Sequence, residues 1–540
     1  MKFLKIIRIT LLGILFASLV GFFGFLAYMA MNAENSEETA NTSIPNSESV
    51  LKVLAGSELK DIEPMLEMIK SKTGVQLQME YIGTLDGAEK LTSQPGLYDI
   101  AWFSHAKYLS LLQADKKLIQ AQEKIGISPV IPAVKESLAK QWGWINNPEI
   151  AWSQIAEKVK AGQLNYAMTD PTASNSGFST VMSVQAAFSN KGDAITAQDV
   201  DAEKLKIFFS GHSLTAGSSA FLSESYLQDQ AKLGGIFNYE SELLKLNRNP
   251  LLKEKLVLIY PKEGTVTADY PLILLNKEKS ADYQKVVDYL KSAEFQTWMM
   301  TNTDRRPVNP AVAIGAQFPK GYLMDLPFPN NIATVNEILF AYLNDRRKPS
   351  HSFFVLDLSG SMQGDRIAAL KEAMTNLTGD DISITGRFAQ FRNREKITII
   401  TFSHVVMDTR EFTIDKDGVV LKEVKNYVTD LSLGGGTAIY TALQTAYLQA
   451  EEARKADPNR FYSIVLMTDG ENRDGISYEA FNEYYKKDID YLAGIRTFPI
   501  LFGDASPDEM QSLAALTGGK TFDSRKSSLS QAFKQIRGYQ

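Results

Sequence analysis

The sequence predicts an α/β protein built from two successive folded parts, a two-lobed domain over residues 50–345 and a doubly wound domain over 346–540. Three observations predict it. Strand-like and helix-like stretches alternate from Val50 onward. The charged, proline-ended stretch NDRRKP at 344–349 interrupts that rhythm, which then begins afresh. In the second part, three loops rich in Asp, Ser, Thr and Gly fall where strands end or helices begin. A βαβ rhythm implies mainly parallel sheets with helices on both faces. At 540 residues the chain is also too long for one core.

The elements follow in order. VLKVLAG (50–56) is a short apolar strand, and a helical stretch over 59–71 stops at Gly74. VQLQMEYIG (75–83) alternates with the period of a strand, and YDIAWF (98–103) reads as a buried strand. LNYAMTDP (164–171), LKIFFSG (205–211) and KLVLIYP (255–261) continue the pattern. Two sheets joined by crossovers give two lobes with a cleft between them. After the junction, strands are expected at 352–359, 395–402, 461–470 and 494–502. Helices are expected near 364–377, 438–455, 476–491, 506–514 and 526–537.

Composition excludes several function classes. There is no cysteine, so disulfides, zinc–thiolate sites, iron–sulfur clusters, cysteine nucleophiles and a lipid-anchored cysteine are all ruled out. The four histidines show no HExxH spacing. Against 63 Asp and Glu stand 57 Lys and Arg, a net charge of −6 that argues against a nucleic-acid partner. LTGGKT (516–521) lacks the glycine a phosphate loop needs at 514, where Ala514 stands, so no NTPase activity is expected.

The N-terminus addresses location. Lys2, Lys5 and Arg8 precede an apolar run of 23 residues, Ile9–Met31. As a helix it reaches roughly 34 Å, against a hydrocarbon core of about 30 Å. Glu34, Glu37 and Glu38 follow, so the positive-inside rule places the body outside the cytoplasm. Residues 1–33 are therefore expected to be a transmembrane anchor in the cell membrane, and the polar stretch 34–49 a flexible tether. The competing reading is a cleaved signal peptide, whose apolar stretch is usually about 7–15 residues.

The three loops carry the sharpest chemistry. Asp357-Leu358-Ser359-Gly360-Ser361 follows a strand, Gly434-Gly435-Gly436-Thr437 precedes a helix, and Thr468-Asp469-Gly470 follows another strand. Open α/β sheets bind ligands at the carboxyl ends of their strands. Asp357, Ser359, Ser361, Thr437 and Asp469 would bring only oxygen donors to that edge. Such donors suit a hard cation, Mg²⁺ first, then Mn²⁺ or Ca²⁺. Two carboxylates balance the ion without excess, which leaves it ready to accept a further carboxylate in place of water. Each motif alone is an ordinary turn or cap; three together at one edge are harder to explain that way.

DLSGS, the glycine-flanked Thr437 and TDG resemble the metal-ion-dependent adhesion motif of the von Willebrand factor type A family over about 350–540. The resemblance implies a Rossmann-like fold. It implies direct binding of the ion by Ser359 and Ser361, direct or water-mediated binding by Thr437, and largely water-mediated binding by Asp357 and Asp469. The sixth position would be left for an Asp or Glu of a protein partner. A purely structural ion is the alternative.

Residues 50–345 resemble the type II periplasmic solute-binding proteins. The matching stretches include AGSELKDIEPMLEMIKSKTGVQLQMEYIGT, YDIAWFSHAKYL, YAMTDPTASNSGFST and LVLIYPKEGTVTADYPLILL. The resemblance implies an inter-lobe cleft in which hydroxyls and helix N-termini meet a small solute. Ser57, Thr84, Ser104, Ser174, Ser176 and Ser219 are the candidate contacts, with SNSG at 174–177 foremost. Helix capping by the same hydroxyls is the bland alternative. Arg305 and Arg306 are either an anion site or a solvated, hinge-side face.

No Ser/His/Asp or paired-acid constellation is visible, so no catalysis is expected. Two functions compete. One is a membrane-anchored module gripping an acidic residue of a protein through its metal. The other is a solute-binding component of a transport or sensing complex. A subunit of a chelatase driven by a cytoplasmic ATPase fits poorly with an exported body.

Overall fold

The structure is a computed structural model and describes residues 49–113, 117–189, 195–196, 199, 201–319 and 323–540. The expected anchor at 1–33, and the tether as far as residue 48, lie outside the described residues. Among the described residues no helix is long and apolar enough to cross a membrane. Val50–Gln540 pack as one compact unit.

In chain order the first twelve strands are β1 (Ser49–Gly56), β2 (Val75–Ile82), β3 (Ile100–Trp102), β4 (Ala121–Lys124), β5 (Gly126–Lys135), β6 (Tyr166–Thr169), β7 (His212–Ala216), β8 (Gly235–Tyr239), β9 (Leu256–Leu258), β10 (Thr267–Ala268), β11 (Pro271–Leu274) and β12 (Arg306–Pro307). They build two sheets. The first lobe has the order β2-β1-β3-β11-β4, and the second β10-β5-β8-β6-β7 with β9 and β12 also on β5. The chain crosses between lobes three times, from β4 to β5, back from β10 to β11, and again from β11 to β12.

Those crossings correct the expectation of mainly parallel sheets. β1 pairs parallel with β3, and β6 parallel with β7 and β8. The strands that carry the chain across run against their neighbours. β11 is antiparallel to β3 and β4, and β5 is antiparallel to β8, β9, β10 and β12.

The expected strand LKIFFSG is also corrected. Ala202–Ser210 is a helix, capped by the Asp201 carboxylate accepting the Lys204 N–H at 3.0 Å. Its buried residues Leu205, Phe208 and Phe209 have the i, i+3, i+4 spacing of a helix face.

The second part contains β13 (Ser350–Asp357), β14 (Lys396–Phe402), β15 (Val406–Thr413), β16 (Phe461–Thr468), β17 (Arg496–Leu501) and β18 (Phe522–Asp523), in the order β15-β14-β13-β16-β17-β18. All pairs are parallel except the edge hairpin of β14 with β15. The core strands obey the two-residue period. Phe354, Leu356, Ile397, Ile399, Val465 and Met467 face the helices Asp365–Thr375, Val419–Thr429 and Leu529–Arg537. Phe353, Val355, Ile400, Phe402, Ile464 and Leu466 face the helices Ile439–Ala456, Tyr478–Lys487 and Pro507–Thr517. Both faces are thus covered, as a parallel sheet requires.

The junction is not the exposed linker its charges suggest. Tyr342–Arg346 forms one π-helical turn, and Arg347 behind it is only 4% exposed. The same apolar cluster takes Ile131, Leu214, Leu222 and Tyr226 from the second lobe together with Phe354, Phe498 and Tyr539 from the second part.

Candidate functional site

Register places the two carboxylates together. β13 and β16 are adjacent and parallel, with Leu356 opposite Met467. Asp357 ends β13, and Asp469 directly follows Thr468 at the end of β16. Both carboxylates therefore emerge at one sheet edge, and both residues are fully buried.

A run of hydrogen bonds through Ser359 and Ser361 links them. The Asp357 carboxylate accepts the Ser359 N–H at 2.8 Å and the Thr468 hydroxyl at 2.7 Å. Ser359 Oγ and Ser361 Oγ share a hydrogen bond of 3.0 Å, and Ser361 Oγ donates to Asp469 Oδ1 at 2.8 Å. Burial, reinforced by Asp469, pushes the Asp357 carboxyl above its usual range, despite the hydrogen bonds from Thr468 and Ser359.

Thr437 arrives on the third loop. Gly434 N–H donates to the Leu358 carbonyl at 2.7 Å, which ties this loop to the first. Thr437 N–H donates to Asp474 Oδ2 at 2.8 Å, and the Arg473 and Asp474 N–H groups both donate to the Thr437 carbonyl. Gly436 is required here. Its φ is +70°, and a Cβ would collide with the Asp474 carboxylate.

The donor set suits a hard cation. Ser359 Oγ, Ser361 Oγ and Asp469 Oδ1 stand at ordinary hydrogen-bond separations of 3.0 and 2.8 Å, and all are oxygen donors of the kind a hard divalent cation accepts. Ser359 is buried but Ser361 is exposed, so the run opens to solvent at Ser361. Among the described residues no group of three or more Asp, Glu or His side chains could hold a metal ion.

Sequence reading missed Arg366. Its Nη1 donates to Asp469 Oδ2 at 2.6 Å and its Nη2 to Asp504 Oδ2 at 2.9 Å. One available signal was its place in the first turn of the helix Asp365–Thr375. A cation there opposes the helix dipole unless a carboxylate holds it. Asp474 was missed too; only its place in the turn after Asp469 hinted at it.

In the two-lobed part the six candidate hydroxyls separate. A cavity of about 760 Å³ is lined by Ser57, Ser174 and Ser219, together with Glu58, Tyr81 and Tyr539. Thr84, Ser104 and Ser176 are not among its lining residues. Ser176 is fully buried, and its hydroxyl is hydrogen-bonded to both Thr169 Oγ1 and Ser219 Oγ at 2.8 Å. Thr84 is the first residue of the helix Thr84–Ser93 and is buried. Ser104 is fully buried with its Oγ unpaired, near the Glu58 carboxyl, which burial holds above its usual range.

Arg305 and Arg306 are neither an anion site nor a solvated face. Arg305 Nη1 binds the Asp61 carboxylate at 2.8 and 2.9 Å, and Arg306 binds Glu240 at 2.6 and 2.7 Å. Both arginines are buried ion-pair partners.

Comparison with known proteins matches the site-bearing part. The von Willebrand factor type A domain model matches residues 353–536. Inter-alpha-trypsin inhibitor heavy chain H2 of Sus scrofa is 28% identical over 126 residues, which is 23% of this chain and 12% of that protein. An uncharacterized protein of Synechocystis sp. is 30% identical over 132 residues, 24% of this chain and 28% of that protein. The chain thus spans only a small part of the length of these relatives.

Among solved structures, the periplasmic binding protein AfuA from Actinobacillus pleuropneumoniae is similar at 16% identity and a TM-score of 0.43, covering 56% of this chain and 99% of AfuA. A ferric binding protein from Campylobacter jejuni is similar at 12% identity and a TM-score of 0.40, covering 54% and 98%. With its doubly wound sheet and its Asp-x-Ser-x-Ser loop in place, the segment 353–536 is a von Willebrand factor type A domain, carried behind a two-lobed α/β unit.

Proposed function

We propose that this chain is a membrane-anchored, extracytoplasmic binding protein that grips an exposed Asp or Glu of a protein partner through a divalent ion. Asp357, Ser359, Ser361, Thr437 and Asp469 would hold Mg²⁺, with Mn²⁺ or Ca²⁺ as substitutes. The observation that supports the reading is the run of hydrogen-bonded oxygens from Ser359 through Ser361 to Asp469, with Asp357 and Asp469 buried and Ser361 exposed. A bound ion would supply a Lewis-acidic position facing solvent. The chain's own residues supply the rest. Thr468 and the Ser359 N–H orient Asp357, and Arg366 takes one oxygen of Asp469 and leaves the other to Ser361.

Calorimetric titration with Mg²⁺ tests the site. The intact protein is expected to bind, and Asp357→Ala to show no binding while keeping its circular-dichroism spectrum. Pull-down from membranes with and without EDTA tests the use of the ion; equal partner recovery in both would sink the adhesion reading. The location is tested by adding external protease to cells, which should digest the body of an anchored, exported chain.

A second reading, uptake of a small polar solute, rests on the cavity of about 760 Å³ with Ser57, Ser174, Ser219 and Glu58 in its lining. Thermal-shift screening of small polar solutes against the full chain tests it. No stabilisation by any solute would set this reading aside.

A further inference from the structure

The adhesion-type domain touches both lobes of the preceding unit. On the first lobe, the Glu89 carboxylate, from the helix after β2, accepts the N–H groups of Ile384 and Thr385 at 2.9 and 3.1 Å and also the Thr385 hydroxyl. Lys534 lies 3.8 Å from Asp86 on the same helix. On the second lobe, Arg496 pairs with Asp229 at 2.6 Å, and the Tyr539 ring packs on Phe221 with centroids 5.2 Å apart. Approach is close there. A Cβ on Gly217 would overlap the Tyr539 ring, and one on Gly538 would overlap Ala173.

A third anchor lies at the junction. Arg347 stands between Asp170 of the second lobe, 3.6 Å away, and Glu395 of the adhesion-type domain, which also binds Arg537 at 2.6 Å. The segment running from Arg537 to Tyr539 lines the cavity between the lobes, so the same contacts overhang the cleft.

We propose that residues 350–540 act as a strap that fixes the separation of the two lobes. The reason is geometric. Two bodies joined by three crossover connections can hinge, and domain hinging moves distant groups by several ångströms. A packed α/β domain does not stretch to follow, because its interior is close-packed. It cannot keep hydrogen bonds near 3 Å to Glu89 and Asp229 at once if the lobes rotate. The lobe angle and the docking of the domain are therefore one coupled variable. The inference uses no metal and stands apart from the reading of the ion site.

The absence of cysteine makes the test direct. Glu67→Cys on the first lobe and Lys160→Cys on the second are both exposed sites for spin labels. Inter-label distances are then measured by pulsed electron resonance in the full chain. The strapped protein should give one narrow distribution. Glu89→Ala combined with Lys534→Ala removes the first-lobe contacts named above and should broaden it or add a second distance. The double variant is checked for a native circular-dichroism spectrum, and Glu89→Ala alone serves where the pair does not fold. An unchanged narrow distribution in the folded variants would overturn the proposal, since the lobes would then hold their separation without the strap.

Discussion

Replacing Glu395 by alanine is expected to be among the most damaging single changes outside the apolar core. Glu395 is 1% exposed, and it sits between two buried guanidinium groups. One oxygen binds Arg347 and the other binds Arg537 Nη2 at 2.6 Å, while the Arg392 N–H donates to it at 2.8 Å. Burial alone would raise its carboxyl; Arg537 and Arg347 overcome this and hold it below the usual range. Removing one partner of a buried pair costs about 3–5 kcal/mol, because the remaining charge is left unpaired. For a cooperative unit of about 490 residues the unfolding entropy is roughly 1.0 kcal/mol/K, so about 4 kcal/mol lowers Tm by about 4 °C. Calorimetry and urea titration of Glu395→Ala measure this. The double variant with Arg537→Ala should cost less than the sum of the singles, by about 1–3 kcal/mol. A loss below about 1 kcal/mol, or strict additivity, would refute the reasoning. The sign with pH follows from the lowered carboxyl. The contribution is present above the ordinary glutamate range and is lost as pH falls through the lowered value.

Other outcomes are expected. Arg366→Ala removes a positive charge that pairs with Asp469, so Mg²⁺ should bind more tightly, on the order of tenfold. Weaker binding in the same titration would show that Arg366 instead holds Asp469 in place. Burial lowers His105 and His212 to about 3, so both are neutral in the fold. An unfolded histidine takes its proton near 6.5, so stability falls as pH drops from there toward 3, by about 2 kcal/mol for each group at pH 5. In urea titrations at pH 7 and pH 5, His105→Phe should lose about 2 kcal/mol less between the two than the parent does. Equal losses would count against a buried neutral His105.

The placement of the loops at 357–361, 434–437 and 468–470 was legible because their signals are local. Each motif adjoins an apolar strand, and the two-residue period of FFVL and SIVLM fixes which end of the sheet the carboxylates reach. Arg366 was not legible in the same way, because its partners Asp469 and Asp504 lie 103 and 138 positions away. The same holds for Arg305 and Arg306, which look like a surface pair until Asp61 and Glu240 are brought beside them by the fold. LKIFFSG misled because an aromatic, β-branched run fits either structure, and only its i, i+3, i+4 burial marks the helix. SNSG was correctly placed at the start of a helix, but the central Ser176 hydroxyl is taken up by Thr169 and Ser219 within the protein. The burial of the charged junction was not legible. A run of Asn, Asp, Arg and Lys reads as solvent-facing, and nothing local reveals that Asp170 and Glu395 wait to receive Arg347.

The shared apolar cluster between the two parts has a consequence for synthesis. Leu214, Leu222 and Tyr226 are covered in part by residues as late as Phe498 and Tyr539. Translation at about 5–20 residues per second needs roughly 10–40 s to make the last 190 or so residues. Throughout that interval the nascent second lobe carries an uncovered oily patch. Factors that hold the second lobe until the final helix arrives are expected to raise the yield of folded protein.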